Sequence, residues 1–208
     1  MKGLLLKDLY MMKKYCKAAF LIVIGFIALS VVDTSNLFFI FYPCMIGGAI
    51  PATLLAYDER SRWLQYSETM PYTKGEIVSS KYLIGLLIQV AILIVTGVVQ
   101  AIRMRIQGTF QLNEYIVLMV LLVIIASIAS SITLPFIFKF GVEKGRVAYY
   151  AMIGIVCIGS GVSSALMTKE MQEEIKVDSV LPILLLVGIG VYALSWYLSI
   201  FFYEKREL

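Results

Sequence analysis

Histidine is absent from all 208 residues, charged residues make up only 15%, and there are just five prolines and three cysteines. Each scarcity removes a class of activity. Without histidine there is no H-E-x-x-H zinc site and no Ser-His or Cys-His nucleophile pair. No G-x-x-x-x-G-K-[ST] string occurs, so the chain brings no P-loop for nucleotide phosphates. Cys16, Cys44 and Cys157 have neither metal-ligand spacing nor the density of a disulfide framework. A soluble domain holds about 25% charged residues. Here 60% of residues are hydrophobic and mean hydropathy is +0.87, so the excess apolar surface is expected to face lipid.

Six apolar stretches are present, at residues 18–32, 37–57, 82–102, 115–138, 147–168 and 179–203. Five approach or exceed the roughly 20 residues that span a bilayer core, and the first is short; it is read as a retained anchor. None carries Asp, Glu, Lys or Arg in its middle. Ion-coupled carriers usually hold the coupling charge on such a group, so a secondary transporter is disfavoured and the energy source is expected outside this chain. With both termini on the cytoplasmic side, 14 of the 18 Lys and Arg fall inside and only Arg103, Arg105, Lys169 and Lys176 outside, as the positive-inside rule requires. Membrane orientation accounts for the net charge of +4. No basic run has the interleaved aromatics of a nucleic-acid groove.

The first 17 residues form an amphipathic segment, with Leu5, Leu9, Met12 and Cys16 on one stripe and Lys7, Lys13, Lys14 and Lys17 elsewhere. It is expected to lie in the cytoplasmic interface beside lipid head groups. In the second span, Pro43, Gly47, Gly48 and Pro51 either open a pathway or permit close helix packing. Gln89 and Gln100 of the third span are expected to face other helices or a wet cavity, and Arg103 and Arg105 to snorkel to lipid phosphates. The fourth span is expected to end at Pro135, with a kink there before a short cytoplasmic link. The fifth is the small-residue helix, where Gly154, Gly161 and Ala165 suit a helix seam.

The longest polar interruption runs from 57 to 82, Y-D-E-R-S-R-W-L-Q-Y-S-E-T-M-P-Y-T-K-G-E-I-V-S-S-K-Y. Pro71 disfavours a helical conformation at Met70, so a short helix is expected to end there, with Trp63, Tyr66 and Met70 on one stripe and Glu59, Arg62 and Glu68 on polar faces. Thr73 followed by Glu76 is a capping box that starts the next helix.

These residues carry a resemblance. Asp58-Glu59, Trp63, Tyr66, Met70-Pro71, Lys74, Ile77-Val78 and Ser80-Lys81-Tyr82-Leu83 resemble the first cytoplasmic loop of small bacterial ATP-binding-cassette (ABC) type-2 permeases, and the opening M-K-G-L-L-L-K-D-L-Y resembles their N-terminal interfacial helix. The resemblance implies an all-α polytopic protein. Residues 1–208 would form one permease domain of six transmembrane helices, with an interfacial helix, a coupling helix between the second and third spans, and no nucleotide-binding domain. It implies a multi-pass permease of the bacterial cytoplasmic membrane, pairing with a second permease, identical or related, and with two copies of a separate ABC ATPase. ATP and magnesium would bind that partner, leaving this chain without cofactor, metal or catalytic residue. Export of a peptide, drug or lipid-like molecule is the implied function, with Glu59, Arg60, Arg62, Trp63, Tyr66 and Met70 meeting the ATPase. One departure concerns the outer gate, because residues 168–179 leave little room for the re-entrant hairpin of larger members. A rival is the substrate-capturing membrane subunit of a vitamin importer, also six helices, against which the long inner loop with its aromatic stripe argues. A membrane enzyme is disfavoured by the lack of histidine and of clustered carboxylates.

Overall fold

A computed structural model of the chain describes residues 2–32, 38–67, 69–108, 110–147, 150–151, 154 and 177–205. Seven helices organise them: α1 (Lys2–Tyr15), α2 (Lys17–Val32), α3 (Phe38–Arg60), α4 (Trp63–Ser67), α5 (Lys74–Ile106), α6 (Leu112–Phe140) and α7 (Val177–Glu204). A further helical turn covers 142–147. Among the described residues there is no strand. By length and hydropathy, four helices among the described residues can cross a bilayer: α3, α5, α6 and the Pro182–Glu204 part of α7. The pair α1 and α2, bent by 70°, supplies a fifth candidate. Most of the expected fifth span, including Gly161 and Ala165, lies outside the described residues, as do the loop at 33–36 and Glu68.

Helix α5 runs antiparallel to α3 and α6, whereas α6 and α7 run parallel, with Ser131 beside Ser195 and Phe138 beside Tyr203, so the bundle has two distinct ends. One end gathers α1, the C-termini of α3, α6 and α7, and the N-terminus of α5 around Leu4, Leu55, Tyr82, Phe138 and Tyr203. A second cluster, including Val23, Cys44, Leu54, Ile88 and Leu122, fills the middle of the bundle. Every described Lys and Arg assigned to the inner side by sequence belongs to the first end, whereas Arg103 and Arg105 belong to the other.

Lipid removes the hydrophobic drive between helices, so close approach of small residues and buried hydrogen bonds must hold the bundle. The glycines and prolines of α3 serve that purpose. A Cβ on Gly47 would sit 2.6 Å from Ile92 Cδ1, one on Gly48 would sit 2.8 Å from Ala129 Cβ, and one on Gly85 would sit 2.8 Å from Pro51 Cγ. Pro43 and Pro51 are buried within a helix that runs unbroken from Phe38 to Arg60. These contacts are close packing within one chain, whereas a Cβ on Gly154 would meet nothing within 4 Å among the described residues.

Three buried polar nodes complete the packing. Gln89 Nε2 donates to Ala126 O (2.6 Å) and Ser130 Oγ (2.8 Å), and Ser130 Oγ donates to Gly48 O (3.3 Å), tying α5, α6 and α3. Tyr82 Oη lies 2.7 Å from both Ser195 Oγ and Ser199 Oγ. Because Ser195 uses its proton on Ser131 O (2.7 Å), Tyr82 donates to Ser195 and accepts from Ser199. At the far end Gln100 Nε2 donates to Ser30 Oγ (3.0 Å) and Arg103 donates to Ser30 O (3.1 Å). This corrects the snorkelling expected of Arg103: the guanidinium satisfies a carbonyl in the last turn of α2, where helix carbonyls lack internal partners.

Two other expectations need correction. Helix α6 does not end at Pro135 but continues to Phe140 and stops at Gly141, whose φ of +88° only glycine adopts without strain. On α1 the inward face is set by Leu4 and Asp8, one turn apart, while Leu9 is 42% exposed. Of the expected apolar stripe, Cys16 is buried and Leu5 and Met12 pack partly buried against the second cluster, so only Leu9 departs from it.

Candidate functional site

The end of the bundle that carries α4 is built on a buried group of four charges. Lys81 Nζ donates to Asp8 Oδ1 (2.6 Å) and Asp58 Oδ2 (2.6 Å), and Lys7 Nζ donates to both oxygens of Asp58 (2.8 and 2.9 Å). Lys81, Asp8 and Asp58 are each 1% exposed. Two cations and two anions sum to zero, which lets them be buried together; any one alone would carry a desolvation penalty of several kcal/mol. Burial, with Lys81 beside it, holds the Lys7 ammonium below its ordinary pKa. Helix α1 is thereby tied to the last turn of α3 and the first turns of α5, which are the two ends of the polar stretch.

Between those ends the chain turns twice. Helix α3 persists to Arg60, so Glu59 and Arg60 belong to it rather than to a separate rod. Arg62, at φ +55°, takes the left-handed conformation that reverses the chain. Helix α4 then spans only Trp63–Ser67, shorter than the rod to Met70 that the spacing suggests, and Thr69 and Met70 are in turns. The corner at Pro71 leads into α5, where Glu76 N donates to Thr73 Oγ1 (3.2 Å) and Thr73 N donates to Glu76 Oε2 (3.1 Å), both halves of the capping box.

The aromatic stripe divides. Trp63 is half-buried against the core around Leu55 and Val78, and Lys7 Nζ sits 4.4 Å from its ring centroid. Tyr66 is 56% exposed, 5.7 Å from Trp63 by ring centroids, and Met70 is half-buried. Arg60 and Arg62 are exposed. Next to them a polar cleft of about 570 Å³ opens between α3 and the turn after α6, lined by Tyr57, Glu59, Arg60, Glu143, Lys144 and Arg146 among others. Glu59 Oε2 accepts from Val142 N (2.9 Å) and so fixes that turn to α3. The outcome is a platform whose rigid parts are Trp63 and the charge group and whose exposed parts are Tyr66, Arg60, Arg62 and the basic lip of the cleft.

Compared with models of known families, residues 3–204 match that of an ABC-2 family transporter protein. The chain belongs to the ABC-2 transporter family. No curated protein and no solved structure matches it. As an ABC-2 permease it is an integral membrane protein and the membrane subunit of an ABC transporter, a kind of subunit that works with an ABC ATPase.

Within this ABC-2 permease the site residues read from sequence fall into three places. Glu59, Arg60, Arg62, Trp63, Tyr66, Met70, Pro71, Thr73 and Glu76 lie together at the α4 end. Pro43, Gly47, Gly48, Pro51 and Gln89 form the α3, α5 and α6 contact inside the bundle. Gly161 and Ala165 are outside the described residues. The charge group was not anticipated, although Asp58 and Lys81 both stand in the strings that carry the family resemblance. Its one sequence signal is Asp8, the sole acidic residue before position 33, one helical turn from Leu4.

Proposed function

We propose that this ABC-2 permease is the transmembrane half of an exporter for a peptide, drug or lipid-like molecule, with six spans and both termini in the cytoplasm. Two copies of a separate ATPase, carrying ATP and magnesium, would dock on the α4 end, and a second permease would complete the path. The observation that supports this reading is the platform itself. An exposed tyrosine flanked by two exposed arginines sits on a base made rigid by buried charges, so a push on α4 is passed to α1, α3 and α5 together. Large aromatic and arginine side chains are the usual anchors of protein interfaces. The gathering of the basic residues at the same end favours a cytoplasmic placement.

The test is copurification and transport-linked ATP hydrolysis with the partner ATPase, using Arg60→Glu combined with Tyr66→Ala. Loss of anchors worth about 2 kcal/mol each weakens docking at least thirtyfold. Wild-type ATPase binding and transport in a folded double variant would remove α4 from the coupling role.

A further inference from the structure

The elbow between α1 and α2 opens a second surface, unrelated to the platform. A cleft of about 680 Å³ lies in the angle, lined by Leu6, Leu9, Tyr10, Phe20, Lys13 and Lys17 among others. Through Leu9, Met12 and Phe20 it is continuous with an apolar groove of about 380 Å³ that runs between α2 and α5, past Ile24, Ile27, Leu87, Ala91 and Val95. The walls are bulky and open among the described residues: Leu21 is 70% exposed, Ile24 62% and Leu87 54%.

Length and charge together specify the occupant. From Lys17 to Ile27 the groove follows eleven residues of α2, and from Ile84 to Val95 twelve of α5. At 1.5 Å per residue each is about 15 Å, half of a hydrocarbon core of about 30 Å, which is the depth of one leaflet. A helix from a second chain would want the full depth; an acyl chain wants half. At the open end stand Lys13 and Lys17, both exposed. Asp8 is the only acidic residue in positions 1–32, and it is already neutralised by Lys81. The elbow is therefore a cationic mouth on an apolar slot, and a ligand that complements both is an acidic phospholipid.

We infer that the groove is a binding site for one acidic phospholipid of the surrounding leaflet, with its phosphate between Lys13 and Lys17 and an acyl chain between α2 and α5. The lipid fills the space that α2, which packs chiefly on α3, leaves against α5.

The experiment is native mass spectrometry of the full chain released from vesicles of equal phosphatidylglycerol and phosphatidylcholine. The expected result is one retained lipid per chain, predominantly phosphatidylglycerol. A basic residue near an anionic surface contributes about a factor of five, so Lys13→Gln with Lys17→Gln lowers the preference up to about thirtyfold. Ala91→Trp, on an exposed position of the groove, reduces retention of both lipids. Equal retention of the two lipids by the parent, or an undiminished preference in the double lysine variant, overturns the assignment. So does disulfide formation from Ile24→Cys to a cysteine of a second copy or of residues 155–176, which would show that protein occupies the slot.

Discussion

Lys81 and Asp58 stand 23 positions apart, at opposite ends of the polar stretch, and meet at 2.6 Å where each is 1% exposed. The contact closes the base of the loop that carries α4. With Asp8 and Lys7 it converts an amphipathic helix that could slide along a membrane surface into a fixed part of the bundle.

Removing one partner should be far worse than removing two. Lys81→Met leaves Asp8 and Asp58 buried with one cation between them and is expected to cost about 3–5 kcal/mol. Asp58→Asn added to Lys81→Met restores neutrality and should recover part of the loss. Thermal unfolding in detergent reads both; equal stability of the single and double variants would mean that the group is hydrated rather than buried.

Trp63 and Tyr66 should separate in their effects. Trp63→Ala empties a half-filled site against the core and removes the ring beneath Lys7, so it lowers the melting temperature as well as ATPase docking. Tyr66→Ala, at an exposed position, should leave unfolding unchanged and reduce only ATPase copurification. A drop in stability for Tyr66→Ala would place its ring in the fold instead.

Close packing of α3 on α6 can be tested by moving a single methyl group. Gly48→Ala drives its Cβ to within 2.8 Å of Ala129 Cβ. Overpacking of about 1–3 kcal/mol outweighs the 0.5–1 kcal/mol or so that Ala brings to a helix over Gly. A net loss of about 1 kcal/mol is expected, and Ala129→Gly on the same background should restore the parent stability. Failure of the second change to rescue would show that the contact is not the limiting one.

Topology follows from the two ends. In a variant without the native cysteines, Cys at Lys13, Tyr66, Lys144 or Lys205 should be hidden from an impermeant thiol reagent in intact cells, and Cys at Gly108 should react. Labelling at position 66 without permeabilisation would invert the orientation proposed above.

The sequence by itself determined that the chain is a helical membrane protein, where the long apolar helices α3, α5, α6 and α7 lie, and where the capping box starts α5. These properties are local: hydropathy over about 20 residues decides insertion, and Pro71, Thr73 and Glu76 act on backbone groups within one turn of themselves. The sequence also carried the family, through strings that include Asp58 and Lys81. Tertiary structure alone decided which side chains meet. A count of lysines by side of the membrane treats Lys81 as surface charge, and only the approach of α1 to α3 and α5 shows that it is buried with two carboxylates. Arg103 likewise reads as a lipid-facing cation until the end of α2 arrives beside it with a carbonyl to satisfy. Trp63 and Tyr66 share one spacing, yet one faces the core and the other solvent, because helical periodicity gives a common stripe but not the position of the neighbour that covers part of it. Burial and pairing depend on residues 20 to 120 positions away, and no local pattern encodes a partner at that range.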